Sequence, residues 1–358
     1  MLNTLSDPYQ ELAWWVGVSA LGLTLLLILV IVGLRLSLRR DMRREAAFIA
    51  VWRPILLEVI SEGTPKMPAA LRSGDQLYFL KLWNYLHESL KGPASDRLNA
   101  LARQLGCDKT ARNLLKKGHR AERLLALLTL GHLRDLASWD ELAQQATQSD
   151  RLASIHAARA LIYIDPLKGT ELMLPLMLTR QDWDITQIAN FLGEANQAFL
   201  LHLSKNIIKI DKQHWTRALL LANALHLQLP LPSMQFILTH YGSVDTLVAA
   251  LHKVSSPQLL PTVRSFLLHP DWRVRVEAVR FMSQFGGVAD VPQLQSLLQD
   301  EQWWVRYSAA EALADMPFFG TGKLRELRGH ATDNQALAML DHVLAEREAS
   351  TGSGGFAT

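Results

Sequence analysis

Hydrophobic and polar positions divide this chain into two regimes. From Leu12 to Leu34 no residue is charged, and Arg35, Arg39, Arg40, Arg43 and Arg44 follow at once. At about 1.5 Å per residue, such a stretch forms a helix able to cross a hydrocarbon core about 30 Å thick. Beyond Arg35 the pattern becomes short amphipathic runs, with apolar residues three and four apart, broken by Pro, Gly and Asp. The only short alternating candidate for a strand is Ile207-Ile208-Lys209-Ile210. The sequence therefore predicts an all-α chain.

The flanks of the apolar stretch orient it. Asp7 and Glu11 precede it without any Lys or Arg, and the arginines follow it, so the positive-inside rule places the N-terminus outside and the C-terminal domain in the cytosol, as a single pass of the inner membrane. Trp14 and Trp15 fall where aromatic anchors stand at the outer interface. A cleaved secretory signal, the rival reading, needs a basic leader, a shorter apolar core and a small-residue cleavage site, none of which is present. Ala13 and Gly17 have the small-xxx-small spacing of packed membrane helices, a spacing that also arises by chance.

The amphipathic part repeats itself. Pro261 matches Pro292, Trp272 matches Trp303, Val274-Arg275 match Val305-Arg306, and Ala278, Met282 and Phe285 match Ala309, Leu313 and Met316, always 31 residues apart. Arg123, Ala126, Leu127, Leu130 and Leu133 match Ser154, Ala157, Ala158, Leu161 and Ile164 at the same offset. A period in this range marks a solenoid, in which each repeat buries its apolar face only against its neighbours. Each repeat reads as two helices: Pro257 to Leu268, then Arg273 to Phe285, with His269-Pro270-Asp271 ending the first and capping the second. Gly286 and Gly287 stop that helix, and Asp290 with Pro292 starts the next.

These residues resemble the HEAT repeat, in the short bacterial form also seen in phycobilin-lyase-like proteins. The inter-helix Asp271, the Val274-Arg275 pair, Ala278 and the large apolar residue after it carry the resemblance, as do Trp303 to Met316, Arg123 to Leu133 and Arg151 to Ile164. It weakens at Asp182 to Thr186 and at Trp215 to Leu225, and from Asp41 to Arg120 the chain is helical without a register. The resemblance implies an α-solenoid whose second helices line a concave surface, with Asp271, Arg275 and Arg306 forming a ladder between repeats. The expected organisation is an external tail (1–11), a transmembrane helix (12–34), a basic juxtamembrane helical region (35–120), the HEAT-like solenoid (121–349) and a flexible tail (350–358).

Charge sharpens the membrane reading. From Arg35 to Arg120 there are 17 Lys and Arg against 8 Asp and Glu, whereas from Ala121 onward there are 20 against 24. The basic part adjoins the span, where an anionic lipid surface attracts each basic residue by about 1 kcal/mol. Nucleic acid is the competing partner for basic surface, but no aromatic-interleaved binding module accompanies it. The lone Cys107 excludes a disulfide framework and is expected to be a buried thiol.

No catalytic constellation emerges, and neither a metal nor a cofactor is expected. The 12 His lack metal-site spacing. Gly320-Thr321-Gly322-Lys323 fails as a phosphate loop, because Pro317 stands where the first Gly belongs and Leu324 replaces the Ser or Thr that holds magnesium. Asp140-Glu141, Asp182 with Asp184, and Asp300-Glu301 sit at helix starts and read as caps. What remains is a set of tryptophans: Trp183, Trp272 and Trp303 open second helices, with Trp215 and Trp304 close by. Either they form a partner-binding rim, where Arg273, Arg275, Arg280 and Arg306 would suit an acidic or aromatic-rich peptide unless they pair with Asp271, Glu277 or Glu311, or they plug the inter-helix turns. The expected function is a membrane-anchored scaffold for a protein partner, such as part of an envelope-polysaccharide synthesis or secretion complex. The alternative is a lyase-like accessory cradling a tetrapyrrole or a lipid-linked small molecule in the concave groove.

Overall fold

The uncharged run carries only isolated glycines, Gly17, Gly22 and Gly33, and is continued by good helix formers, and the helix does not end at the arginines. In the computed structural model, which describes residues 8–61 and 71–353, helix α1 runs without interruption from Pro8 to Ile60. At about 1.5 Å per residue it is close to 80 Å long. The described side chains from Leu12 to Arg43 are exposed. From Phe48 onward the same helix enters a core.

That core belongs to the first of two compact units, residues 1–142. It also contains α2 (Gln76–His87), α3 (Pro93–Gln104), α4 (Cys107–Lys117) and α5 (Arg120–His132). Trp52 and Leu56 of α1 pack among Phe79, Leu80, Trp83, Leu98 and Leu101, and Trp52 meets Phe79 edge-to-face with centroids 5.2 Å apart. The helix end leaves carbonyls unpaired, and Arg97 donates to two of them, Val59 O at 3.1 Å and Ile60 O at 2.5 Å. Cys107 is buried here, and burial, with Asp108 nearby, pushes its thiol up to about 12. It is an inert apolar side chain.

Helix α6 (Trp139–Ala146) leads into the second unit, residues 143–358. Its front row comprises α7 (Arg151–Ile164), α9 (Ile185–Leu192), α11 (Trp215–Ala224), α13 (Val244–Leu251), α15 (Trp272–Phe285), α17 (Trp303–Asp315) and α19 (Asn334–Ser353), each packed on the next. Behind them stand α8 (Pro166–Thr179), α10 (Asn196–Asn206), α12 (Leu231–His240), α14 (Leu260–Ser265), α16 (Val291–Ser296) and α18 (Gly320–His330). No strand occurs among the described residues, and Ile207 to Ile210 form turns after α10. Of the tail expected to be flexible, 350–353 continue α19, while 354–358 lie outside the described residues, as do 1–7.

The 31-residue offset is physical. Val274 and Val305, Ala278 and Ala309, and Met282 and Leu313 are all fully buried where α15 meets α17. Arg275 donates to His269 O (2.8 Å) and Pro270 O (3.0 Å), and Arg306 does the same to Asp300 O (2.7 Å) and Glu301 O (3.0 Å). The acidic half of the expected ladder is different, however. Arg275 pairs with Asp300, so Asp300 bridges two repeats besides accepting from Gln302 N at 2.9 Å. Asp271 instead caps α15 and pairs with Arg273, whose guanidinium holds its carboxyl below the usual range. Position 302, the 31-residue counterpart of Asp271, carries Gln, so the linking carboxylate comes from two residues earlier.

Candidate interaction surface

The tryptophans divide into two groups with different physics. Trp183 is completely buried. Its Nε1 donates to Ser154 Oγ at 3.1 Å, the Arg180 guanidinium lies 5.2 Å over its ring, and its carbonyl accepts from Arg217. Arg217 also donates to Met177 O at 2.6 Å, and burial lowers its pKa against the opposing influence of Asp182 and Asp184. Trp215 is buried too, donating to Ile210 O at 3.0 Å. Both are plugs in the inter-helix turns, so Trp183 leaves the expected partner-binding rim.

Trp272, Trp303 and Trp304 reach the surface, with 36%, 42% and 56% of their areas exposed. Trp303 stacks on Tyr307 one turn later, with centroids 5.1 Å apart and planes 9° from parallel, and meets the edge of Trp304 at 4.7 Å. His342 of α19 closes the group at 6.2 Å from Trp303 and 6.0 Å from Tyr307. Tyr307 donates to Glu346 at 3.0 Å. Partial burial, and after it this hydrogen bond, push the phenol up to about 12, so it remains a donor.

The front row carries two grooves as well. One of about 240 Å³ lies on α7 and α9, lined by His156, Arg159, Tyr163, Asn190 and Phe191 among others. Another of about 280 Å³ runs across α11, α13 and α15, with Leu219, Leu220, Val248 and Ala249 as its apolar floor. Asp245 and Glu277 line it too. Asp245 is paired with Arg273 at 2.9 Å, while Glu277 takes contacts from His252 (3.2 Å) and Arg280 (3.3 Å). Both volumes fall below the range usual for small-molecule pockets, about 300–1,000 Å³. Among the described residues no cluster of three or more His, Cys, Asp or Glu has metal-site geometry.

Residues 245–315 match the family model for HEAT repeats. The match opens at the start of α13 and closes at the last residue of α17, so it covers the repeats whose buried positions and arginine contacts superpose at 31 residues. No curated protein matches the chain. The matched segment contains Trp272, Trp303 and Trp304 and the α13 and α15 side of the larger groove, whose α11 side lies before it.

The remaining expected site residues fall into place individually. Arg273 is tied to Asp271 and Asp245, and Arg306 is spent on two carbonyls, so neither is a free cation for a partner. Trp14 and Trp15 are exposed and edge-to-face at 5.2 Å. Arg35, Arg39, Arg40 and Arg43 are exposed along α1, and Arg44 pairs with Asp75 at 3.0 Å. Sequence reasoning missed Tyr307, His342 and Glu346. Tyr307 was within reach of it, since a residue four after Trp303 shares its face. The other two come from α19, beyond the last repeat with a recognisable register.

Proposed function

We propose that this protein is a non-catalytic scaffold whose HEAT-type second unit holds a protein partner on its front row, tethered to the inner membrane by α1. The observation that carries the scaffold reading is the match of residues 245–315 to HEAT repeats, combined with a front row that ends in exposed tryptophans. Solenoids use such rows as extended binding surfaces, and Trp is enriched at binding hot spots.

The tether reading rests on α1. Its apolar half has a mean hydropathy of 2.7 over its best window and buries nothing against the protein, a surface that water tolerates poorly. A secretory signal has the same composition. The absence of basic residues before the apolar run, and the continuity of the helix into a core that needs Trp52 and Leu56, favour a retained anchor with its N-terminus outside. Arg35, Arg39, Arg40 and Arg43 would then lie at the cytosolic headgroups, where anionic lipid favours them.

Purification of the full chain from native membranes in mild detergent tests this. A protein partner recovered in stoichiometric amount supports the scaffold, and membrane complexes for envelope-polysaccharide synthesis or secretion are the first to examine. A chromophore or lipid-linked molecule recovered in place of a protein contradicts it. Alkaline carbonate extraction that releases the chain into the soluble fraction contradicts the anchor.

A further inference from the structure

The exposed aromatic group on α17 and α19 sits among charged side chains of both helices. Trp304 presents more than half of its surface, and Trp303 and Tyr307 back it as a stacked pair. The carboxylates around these rings outnumber the cations. Glu301 precedes Trp303 by two residues, Glu311 and Asp315 follow along α17, and Glu346 accepts from Tyr307. Against them stand Arg347, which pairs with Glu311 at 3.6 Å and Asp315 at 2.6 Å, His342, whose Nε2 lies 3.3 Å from Glu346 Oε1, and Arg306, whose guanidinium is turned onto backbone carbonyls. Elsewhere in the protein arginines lie over rings, Arg180 on Trp183 and Arg159 on Tyr163. Among the described residues no such cation is recorded over Trp303, Trp304 or Tyr307.

We infer that the Trp303–Trp304–Tyr307 platform, flanked by Glu301, Glu311 and Glu346, is the docking point for an arginine- or lysine-bearing segment of the protein partner. Indole is the strongest ring acceptor for a cation, and a guanidinium can lie flat on it while donating to a neighbouring carboxylate. The carboxylates alone would bind basic chains weakly and without position. The rings supply the position, and the rings alone would not select for charge. This inference rests on the scaffold reading and narrows it to a partner chemistry.

The test uses the purified full chain in neutral detergent and a synthetic hexa-arginine peptide, with hexa-glutamate as the opposite charge, followed by tryptophan fluorescence and calorimetry. Hexa-arginine is expected to bind and hexa-glutamate not to. Trp304→Ala should weaken hexa-arginine binding about threefold to fivefold, the scale of an exposed cation–π contact, with an unchanged melting temperature because the side chain is largely exposed. Glu346→Gln should weaken it also, while leaving Tyr307 an acceptor. Equal binding of both peptides, no binding of either, or affinity indifferent to both substitutions overturns the proposal. So does quenching by brominated lipid, in nanodiscs, of the emission that Trp304→Ala removes, since that would place the platform in the bilayer. Stoichiometric partner capture from membranes without peptide binding would leave the scaffold standing and remove this inference, whereas peptide binding without any captured protein would overturn the scaffold reading, and with it the assignment of the platform to a partner segment.

Discussion

Arg275 holds Asp300 of the following repeat through two hydrogen bonds, at 2.8 and 2.7 Å, with 14% and 9% of the two side chains exposed. The same guanidinium satisfies the carbonyls of His269 and Pro270 in its own repeat. One side chain therefore ties the turn before α15 to the turn before α17. The arrangement depends on a planar fork of donors, which lysine lacks.

Asp300→Ala is expected to destabilise the second unit by about 3 kcal/mol, because it strands a nearly buried guanidinium. Arg275→Lys should cost less but still measurably, as it keeps the charge and loses the paired geometry. Urea unfolding followed by hydrogen exchange in α15 and α17 reads both. Equal stability of Asp300→Ala and the parent would show that the pair only decorates the surface.

Ala309→Asp should damage the array far more than Glu311→Ala. Ala309 is fully buried where α15 packs on α17, so an Asp there buries an unpaired charge, at a cost above about 3 kcal/mol. Glu311 is partly exposed and loses a 3.6 Å pair with Arg347 and an interaction with Tyr307, at a cost of about 0.5–1 kcal/mol. Thermal unfolding of the two variants side by side checks the repeat register.

Gly169→Ala tests a close approach of α7 and α8. A Cβ at Gly169 in α8 would meet Leu161 O at 2.6 Å and Ile162 Cα at 2.8 Å, both backbone atoms of α7 that cannot swing aside. The expected loss is about 1–3 kcal/mol from overpacking, although alanine is the better helix former. A stabilised variant would mean α7 and α8 are further apart than described.

The first unit should weaken in mild acid. His87 is buried, its ring tilted against those of His132, with centroids 4.3 Å apart, and Trp83, at 4.8 Å, with Asn99 Oδ1 and Ser95 Oγ at its Nε2. Burial is the main cause that lowers its pKa below 6.5, helped by the Arg134 charge and opposed by the Asn99 hydrogen bond and by Asp96. The unfolded chain thus binds the proton more readily than the folded one. The resulting stability is fully present above about pH 6.5 and is lost as pH falls from there through the lower folded pKa. Hydrogen exchange of α2 and α5 amides between pH 7.5 and 5 should show protection falling, with His87→Gln flattening the dependence. Protection that rises on acidification would contradict the burial argument.

Which of these features the sequence revealed follows from what carries them. The apolar span, the α15 and α17 repeats, the Asp271 cap and the glycine stop at Gly286 are local patterns, visible in a window of one or two helices. Trp183 and Trp303 look alike in such a window, and only packing distinguishes them. A serine on α7 and arginines at 180 and 217 bury the first, while the second has Tyr307 beneath it and open solvent beyond. The pairing of Arg275 with Asp300, in place of a residue at the repeated position, was hidden for a related reason: a shift of two residues across a turn leaves the distance bridgeable while breaking the alignment. The continuation of α1 into the core is a tertiary fact, set by Trp52 and Leu56 meeting Phe79 and Trp83.

The most direct test of the scaffold account is site-specific photocrosslinking in native membranes. A photoreactive side chain placed at Leu220 or Trp304 on the front row, and separately at Leu167 or Leu201 on the back, all of them exposed, samples the two rows of the second unit in one experiment. The account predicts one shared protein adduct from both front positions and none from either back position. Adducts from the back row alone, or from none of the four, would contradict it.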